Sequence, residues 1–213
     1  MATRGLPLPL RNALAALAIA ALEDDAAVAA LEWVVRPMGE PPASARRWLA
    51  DVHLVEPRGA TLLAVHAPHA HAAAAHAARA LRAAAAHRAL APPLSGNPIT
   101  AAVRRAAALW GERLFFEVHE VLETVWKTAA GEPRQALQGV IQIAVAYHHL
   151  AHGNLRGART LMTEGRDRLE SVPASALPPL DLRALIEATA PWAAALGARG
   201  PLPHDPPALT LAG

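Results

Sequence analysis

The sequence predicts an all-α protein, with a helical bundle in its C-terminal half and a small, mostly helical N-terminal domain. The chain has 213 residues, of which 53% are hydrophobic, and this is enough for one sizeable core with a smaller appended domain. In the second half of the chain the apolar residues recur at helical spacing. Between the halves, the Pro- and Gly-containing stretch 91–98 breaks any helix and suits a linker.

The N-terminal region predicts short helices, a hairpin and a longer helix. In chain order these are Leu10–Leu22, Ala26–Arg36, a helix from Ser44 to Asp51, a β-hairpin with arms 52–55 and 61–65, and a helix over 68–87. Three helices before a hairpin is the order of a winged-helix DNA-binding domain, with the turn Pro57–Gly59 as the wing tip. Because the recognition helix offers only Arg46 and Arg47, and the wing only Arg58, the sequence favours a small helical cap without a nucleic-acid role.

The C-terminal region predicts five helices, over about 98–110, 112–129, 133–152, 154–170 and 181–196. Gly153 suits the left-handed stop of the third of these helices, while Asn154 and Asp181 suit the N-caps of the fourth and fifth. The predicted organisation is a domain at 1–91, a linker at 92–99, a bundle at 100–199 and a Pro-rich tail at 200–213. We expect the tail to be poorly ordered.

Composition excludes several classes of function. A chain without Cys has no disulfide, no thiolate chemistry and no Cys-ligated zinc site. No apolar run reaches the roughly 18 residues that a membrane helix needs, so we expect a cytoplasmic protein that does not contact the membrane. The formal net charge of +2 does not by itself imply a nucleic-acid partner. The sequence identifies no partner, and association between copies of the chain stays open.

The strongest chemical signal is one face of the helix predicted over 112–129. At about 100° per residue, His119, Glu120 and Glu123 lie together opposite the apolar side of this helix. His119 and Glu123, at i and i+4, can bind one divalent metal ion, and Glu120 beside them can act as a general base on a bound water. On the next helix His149 is the leading third ligand, with His148 and His152 as alternatives.

Two features of the surroundings weigh on this interpretation. The face can instead be a solvated one, with Glu123 paired to Lys127 at i,i+4. Against solvation, Phe116 lies within the polar face and Trp126 borders it, and two large aromatic side chains there indicate a covered surface.

The following helix carries a narrow polar stripe formed by Gln138, Gln142 and His149. Buried amides need hydrogen-bond partners, so in an antiparallel helical hairpin the stripe would meet Glu120 and Glu123. The alternative, in which the stripe is the solvent edge of this helix, is equally consistent with the sequence.

These motifs occur together and in order in a known family. Between Leu109 and Leu169 they are Phe116, Glu117-x-His119-Glu120-x-x-Glu123, Trp126, Gln138-Gly139-Val140-Ile141-Gln142 and Gly153-Asn154-x-x-Gly157-Ala158. The segment resembles the prokaryotic domain of unknown function 309 family. The resemblance implies an all-helical bundle and brings with it the label of metal-dependent hydrolase that is sometimes attached to the family. Residues 1–95 lie outside the resemblance.

The sequence supports three functional hypotheses. In the first, the chain is a metal-dependent hydrolase in which Glu120 is the catalytic base and His119, Glu123 and His149 hold a divalent ion of unknown identity. In the second, the polar residues form a buried hydrogen-bond network in a non-catalytic interaction domain. In the third, the N-terminal region binds DNA. The other site residues are assigned to the polar network or substrate contacts (Glu117, Gln138, Gln142, Asn154, Arg156) and to the pocket wall (Phe116, Trp126, Tyr147).

Overall fold

The computed structural model describes residues 6–56, 61–90 and 96–211, and within these ranges the helices confirm the all-α prediction. The helices are α1 (Leu8–Ala20), α2 (Asp25–Val35), α3 (Ala43–Asp51), α4 (Ala70–Ala89), α5 (Pro98–Gly111), α6 (Phe115–Trp126), α7 (Gly131–Ala151), α8 (Leu155–Glu170) and α9 (Leu182–Ala198). Short 3-10 turns lie at Ala67–His69 and Ala174–Ala176. No helix in the described ranges has the length and apolar character to cross a bilayer. The chain forms two compact units, residues 4–91 and residues 92–213, called here the N-terminal and C-terminal units.

The N-terminal unit has a core of Leu and Ala side chains from α1 to α4. Leu14 of α1, Leu31 of α2 and Leu49 of α3 are fully buried. The buried face of α4 is mostly alanine (Ala73, Ala77, Ala80, Ala83, Ala84). Because these side chains are small, α4 packs directly against α1 and α2.

One carboxylate ties α2 to α3. Asp24 caps α2, since its Oδ1 accepts the N–H of Ala26 at 2.7 Å, while its Oδ2 accepts the indole N–H of Trp48 at 3.0 Å. The hydrogen bond from Trp48, followed by that from Ala26, holds the pKa of Asp24 below its usual range. The ionised cap therefore supports both the start of α2 and the position of α3.

The predicted β-hairpin is not confirmed, because the described residues of its two arms are joined by one isolated antiparallel bridge, between Val55 and Leu62, and form no strand. The physical reason lies in the turns on either side. His53 has a left-handed backbone (φ 58°), and its N–H bonds back to α3, so half of the first arm ends the helix. On the other side the N–H of His66 bonds to the carbonyl of Leu63, which turns the second arm away. The wing tip predicted at residues 57–59 lies outside the described residues. The residues that are described do not support the winged-helix interpretation.

Both arginines of the predicted recognition helix are engaged within the N-terminal unit. Arg46 pairs with Glu40 and donates to the carbonyl of Pro41, and Arg47 pairs with Asp51 at 3.5 Å. Each cation therefore has a carboxylate beside it, which weakens the attraction of this surface for phosphate.

The C-terminal unit is a bundle in which each helix from α5 to α9 contacts the next along the chain. Its centre is aromatic. The rings of Phe115 and Tyr147 stack at 5.2 Å, and Trp110 and Trp192 meet Tyr147 edge-on at 5.6 Å and 5.1 Å. These four side chains come from α5, α6, α7 and α9, so one cluster joins four helices.

The backbones of α7 and α8 lie in direct contact where Gly139 faces Gly165. A Cβ on Gly139 would stand 2.7 Å from Cδ2 of Leu169 and 2.8 Å from the carbonyl oxygen of Gly165. A Cβ on Gly165 would stand 2.8 Å from the carbonyl oxygen of Gly139. Only glycine at both positions lets the two backbones come this close.

The C-terminal tail is bound to the bundle, in place of the poorly ordered segment expected from the sequence. The indole N–H of Trp110 donates to the carbonyl of Pro207 at 2.6 Å, and Arg113 pairs with Asp205. Further along, the N–H of Asp181 donates to the carbonyl of Thr210 at 2.9 Å. The tail thus satisfies a buried indole donor of the core.

Replacing Trp48 by Phe tests the Asp24 cap. We expect the pKa of Asp24 to rise towards the ordinary value of about 3.9, because the largest cause of its depression is removed. A carboxyl with a lowered pKa stabilises the fold above its unfolded-state pKa, and that stability is lost as pH falls through the native pKa. Carboxyl NMR titration measures the shift. The control is Trp33→Phe, because the indole of Trp33 donates to the carbonyl of Gly39 and not to Asp24. An unchanged Asp24 pKa in the Trp48→Phe variant would contradict this account.

The glycine contact between α7 and α8 is tested by Gly139→Ala. Because the added Cβ meets backbone and a packed Leu169, we expect the free energy of unfolding to fall by about 1–3 kcal/mol. The matched control is Gly197→Ala in α9, where a Cβ meets open space, so stability should stay unchanged or rise by up to about 1 kcal/mol. Denaturant unfolding of the full chain measures both, and equal losses in the two variants would count against a special contact at Gly139.

Candidate functional site

Helix α6 carries the candidate site on the side opposite its buried stripe. Phe115, Val118, Val121 and Leu122 are buried and fix the orientation of the helix. The His119, Glu120 and Glu123 side chains are half-buried, with between 28% and 42% of their surface exposed. The three polar groups therefore stay within reach of solvent and of a ligand while the helix under them is held by the core.

Three side chains of ligand type converge on this face. The sequence predicts two of them, His119 and Glu123, as metal ligands and the third, Glu120, as the base beside them. One ligand atom from each of His119, Glu120 and Glu123 lies within 4.8 Å of the others. His119 Nδ1 is 3.1 Å from Glu120 Oε1, and Glu123 Oε2 is 3.4 Å from Lys127 Nζ. The pair of Glu123 with Lys127 is exposed and of the kind that contributes little to stability.

The donor set fits a divalent ion. The imidazole of His119 and the carboxylate of Glu123 suit zinc, manganese or iron, with the Glu120 carboxylate beside them. Two ligands of one such ion are at most about 4.4 Å apart, since each bond is about 2.0–2.2 Å long. The ligand atoms of His119, Glu120 and Glu123, all within 4.8 Å of one another, are spaced close to that limit.

Phe116 lies between this face and a second histidine group on α7. Its ring is 6.2 Å from the ring of His119 and 5.9 Å from that of His148. His148 in turn lies 4.3 Å from His152, ring to ring. The sequence selected His149 as the leading third ligand, whereas the structure places His148 beside the aromatic wall. The same rotation of α7 puts Tyr147 in the aromatic core, whereas the sequence assigned it to a pocket wall.

His149 lies in the last turn of α7 and contacts the turn that leads to α8. Its Nδ1 lies 3.1 Å from Nδ2 of Asn154, and an amide NH₂ can only donate, so Nδ1 accepts. The other end of the Asn154 amide accepts the N–H of Gly157 and caps α8. Gly153 has a left-handed backbone (φ 74°), and a Cβ on Gly157 would crowd both Asn154 and His149. His149 is not among the three residues whose ligand atoms converge on α6.

The glutamines of α7 turn out to have different surroundings from those predicted. Gln142 donates to Glu164 Oε2 at 2.8 Å and accepts from Nε of Arg168 at 3.0 Å, so it faces α8. Arg168 also donates to Gln135. Gln138 is half-buried, and within the described part of the chain no hydrogen bond links it to the polar face of α6. The sequence did contain one signal, since Glu164 and Arg168 are spaced i,i+4 on one face of α8.

The remaining predicted site residues divide between core and surface. Glu117 is buried on α6, with 1% of its surface exposed, and Arg156 is exposed at the start of α8. Tyr147 lies in the aromatic core, where burial raises the pKa of its hydroxyl and the charge of Arg166 opposes that rise. It therefore serves the core rather than a pocket wall.

Trp126 is the last residue of α6, and the guanidinium group of Arg134 lies over its ring. The Arg134 side chain lies 4.1 Å above its ring and donates to its carbonyl at 2.7 Å. The indole Nε1 of Trp126 is buried without a hydrogen-bond partner among the described residues. A buried indole donor of this kind is uncommon and is available to a bound polar group.

The comparisons with known proteins agree with the motifs. Residues 103–161, from α5 into α8, match the family model described as Domain of unknown function (DUF309). This match assigns the segment to the family that its sequence resembles. No curated protein and no solved structure matches the chain significantly.

Proposed function

We propose that the polar face of α6 binds a divalent metal ion and catalyses hydrolysis of a small substrate. The observation that carries the proposal is the convergence of His119, Glu120 and Glu123 within 4.8 Å on a half-buried surface. A cluster of ligand-type side chains beside an aromatic wall is typical of functional sites. A bound divalent ion supplies a Lewis acid and lowers the pKa of a coordinated water.

His119 and Glu123 are the ligands in this proposal. Glu120 lies against Nδ1 of His119, and a carboxylate there holds the ring and leaves Nε2 as the ligating atom. Glu123 is one helical turn further on, and its exposed pair with Lys127 is weak enough to be exchanged. His149 has no part in the proposal, because its ligand atoms do not converge with those on α6, and because Nδ1 accepts from Asn154, which leaves the proton on Nε2.

Glu120 is the proton acceptor. One of its oxygens faces His119, which leaves the other to take a proton from water. Phe116 covers one side of the group. Trp126, one turn after Glu123, has a buried indole N–H that no described residue accepts, and the proposal assigns this donor to a substrate oxygen. Each of these roles uses a group that the helix already holds in position.

Replacing Glu120 by Gln tests the proton acceptor. The amide keeps the size of the side chain and cannot take a proton, so we expect turnover of aryl ester or aryl phosphate to fall roughly 10²–10⁴-fold. Metal binding should persist. The control is Glu132→Gln, an exposed carboxylate in the first turn of α7. Wild-type turnover in Glu120→Gln would remove Glu120 from the mechanism, and loss of its metal would make it a ligand instead.

A second candidate is a structural role for part of the family motif. The specific observation is that Gln142 bridges Glu164 and Arg168 of α8, while Asn154 bridges α8 to His149. These contacts fix the register of α7 against α8 and need no ligand. They account for the glutamine and glycine–asparagine motifs, but they leave the polar face of α6 without an explanation.

The structural role makes its own prediction. We expect Gln142→Ala to lower the free energy of unfolding by about 1–2 kcal/mol with or without metal, because it removes the hydrogen bonds that Gln142 makes to two charged side chains of α8. The matched variant Glu123→Ala, which breaks only an exposed pair, should change stability by less than about 1 kcal/mol. Thermal unfolding measures both. A larger loss for Glu123→Ala would favour a structural role for the α6 face as well.

A further inference from the structure

A cavity of about 420 Å³ lies in the C-terminal unit where the first turn of α8 meets the end of α9. Its size is in the range of small-ligand pockets. Three leucines, called here the leucine wall, give it an apolar lining: Leu155, Leu196 and Leu202. Leu155 is 56% exposed, so a large apolar side chain stands open to solvent at this cavity.

The same cavity is lined by three arginines, called here the arginine cluster: Arg156, Arg159 and Arg199. No acidic residue is among the described residues that line it. Within the described ranges, none of the three arginines forms an ion pair or a side-chain hydrogen bond. This distinguishes them from Arg166 and Arg168 of the same helix, which both bond to neighbouring side chains.

Helix ends of opposite polarity border the cavity. Leu155 and Arg156 are the first two residues of the 16-residue α8, whose dipole is positive at that end. Ala195 and Leu196 belong to the last turn of α9, whose dipole is negative there, so the positive charge of the cavity rests on the arginine cluster. Arg199 follows α9 in a left-handed conformation (φ 55°), which is uncommon for a residue with a side chain. Like charges held together without a counter-ion repel one another, and a bound anion would relieve that repulsion.

We propose that this cavity binds an amphiphilic anion, with a carboxylate or phosphate head on the arginine cluster and an apolar body on the leucine wall. Guanidinium groups bind either head through paired N–H donors. The leucine wall gives the apolar body a surface that water leaves on binding. This site uses none of the residues of the α6 face, so its test is independent of the proposed hydrolysis.

Isothermal titration of the full chain with four octyl compounds tests the charge requirement. Octanoate and octyl phosphate should bind, and octanol and octylammonium should bind at least tenfold more weakly. Added salt should weaken the binding of the two anions. Comparing octanoate with octyl phosphate identifies the preferred head. Inorganic phosphate alone should bind more weakly than octyl phosphate, because it leaves the leucine wall uncovered.

Variants separate the two parts of the site. Arg156→Gln and Arg159→Gln should each weaken octanoate binding roughly tenfold, as expected for loss of a charge-assisted hydrogen bond. Arg183→Gln, which removes an exposed charge in α9 outside the cavity, should leave it unchanged. Leu155→Ser should weaken octanoate binding without altering the melting temperature of the protein, because this leucine is already exposed.

Three results would overturn the proposal. The first is the absence of binding by octanoate and octyl phosphate at millimolar concentration. The second is equal binding of octanol and octanoate, which would show that the cavity binds apolar chains without recognising their charge. The third is unchanged octanoate affinity in Arg156→Gln and Arg159→Gln variants that melt at the wild-type temperature.

Discussion

The direct contact between α7 and α8 at Gly139 and Gly165 is the constraint on which the rest of the C-terminal unit depends. With each glycine carbonyl close to the position that the other's Cβ would occupy, the two helices have one register and one rotation. That rotation sends Gln142 to α8, puts Tyr147 in the aromatic core and leaves His148 beside Phe116. The short turn through Asn154 closes the pair at its other end.

The family motif accordingly divides into two parts with different physical roles. The glutamine–glycine and glycine–asparagine segments are explained by backbone contact, capping and hydrogen bonds between α7 and α8. No comparable packing contact explains His119, Glu120 and Glu123, which converge on a half-buried face. The fold does not require these three side chains, yet it holds them together. We therefore assign metal binding and hydrolysis to α6.

What the sequence predicted well was local. The N-caps at Asn154 and Asp181 and the stop at Gly153 depend on neighbouring residues, and the structure confirms all three. What it missed depends on distant partners. The tail is bound through Trp110, which is nearly a hundred residues earlier in the chain. The clustering of His119, Glu120 and Glu123 follows from one helix and was predicted. The partners of Gln142, by contrast, are set by the packing of α7 against α8.

The central claim is tested most directly by the metal content of the full chain, purified without a histidine tag or chelator, beside a His119→Ala Glu123→Ala double variant. The account predicts near-stoichiometric zinc, manganese or iron in the wild type, and none in a variant with an unchanged melting temperature, because neither side chain supports the core. No metal in the wild type after incubation with these ions, or undiminished metal in the variant, would contradict a metal site on α6.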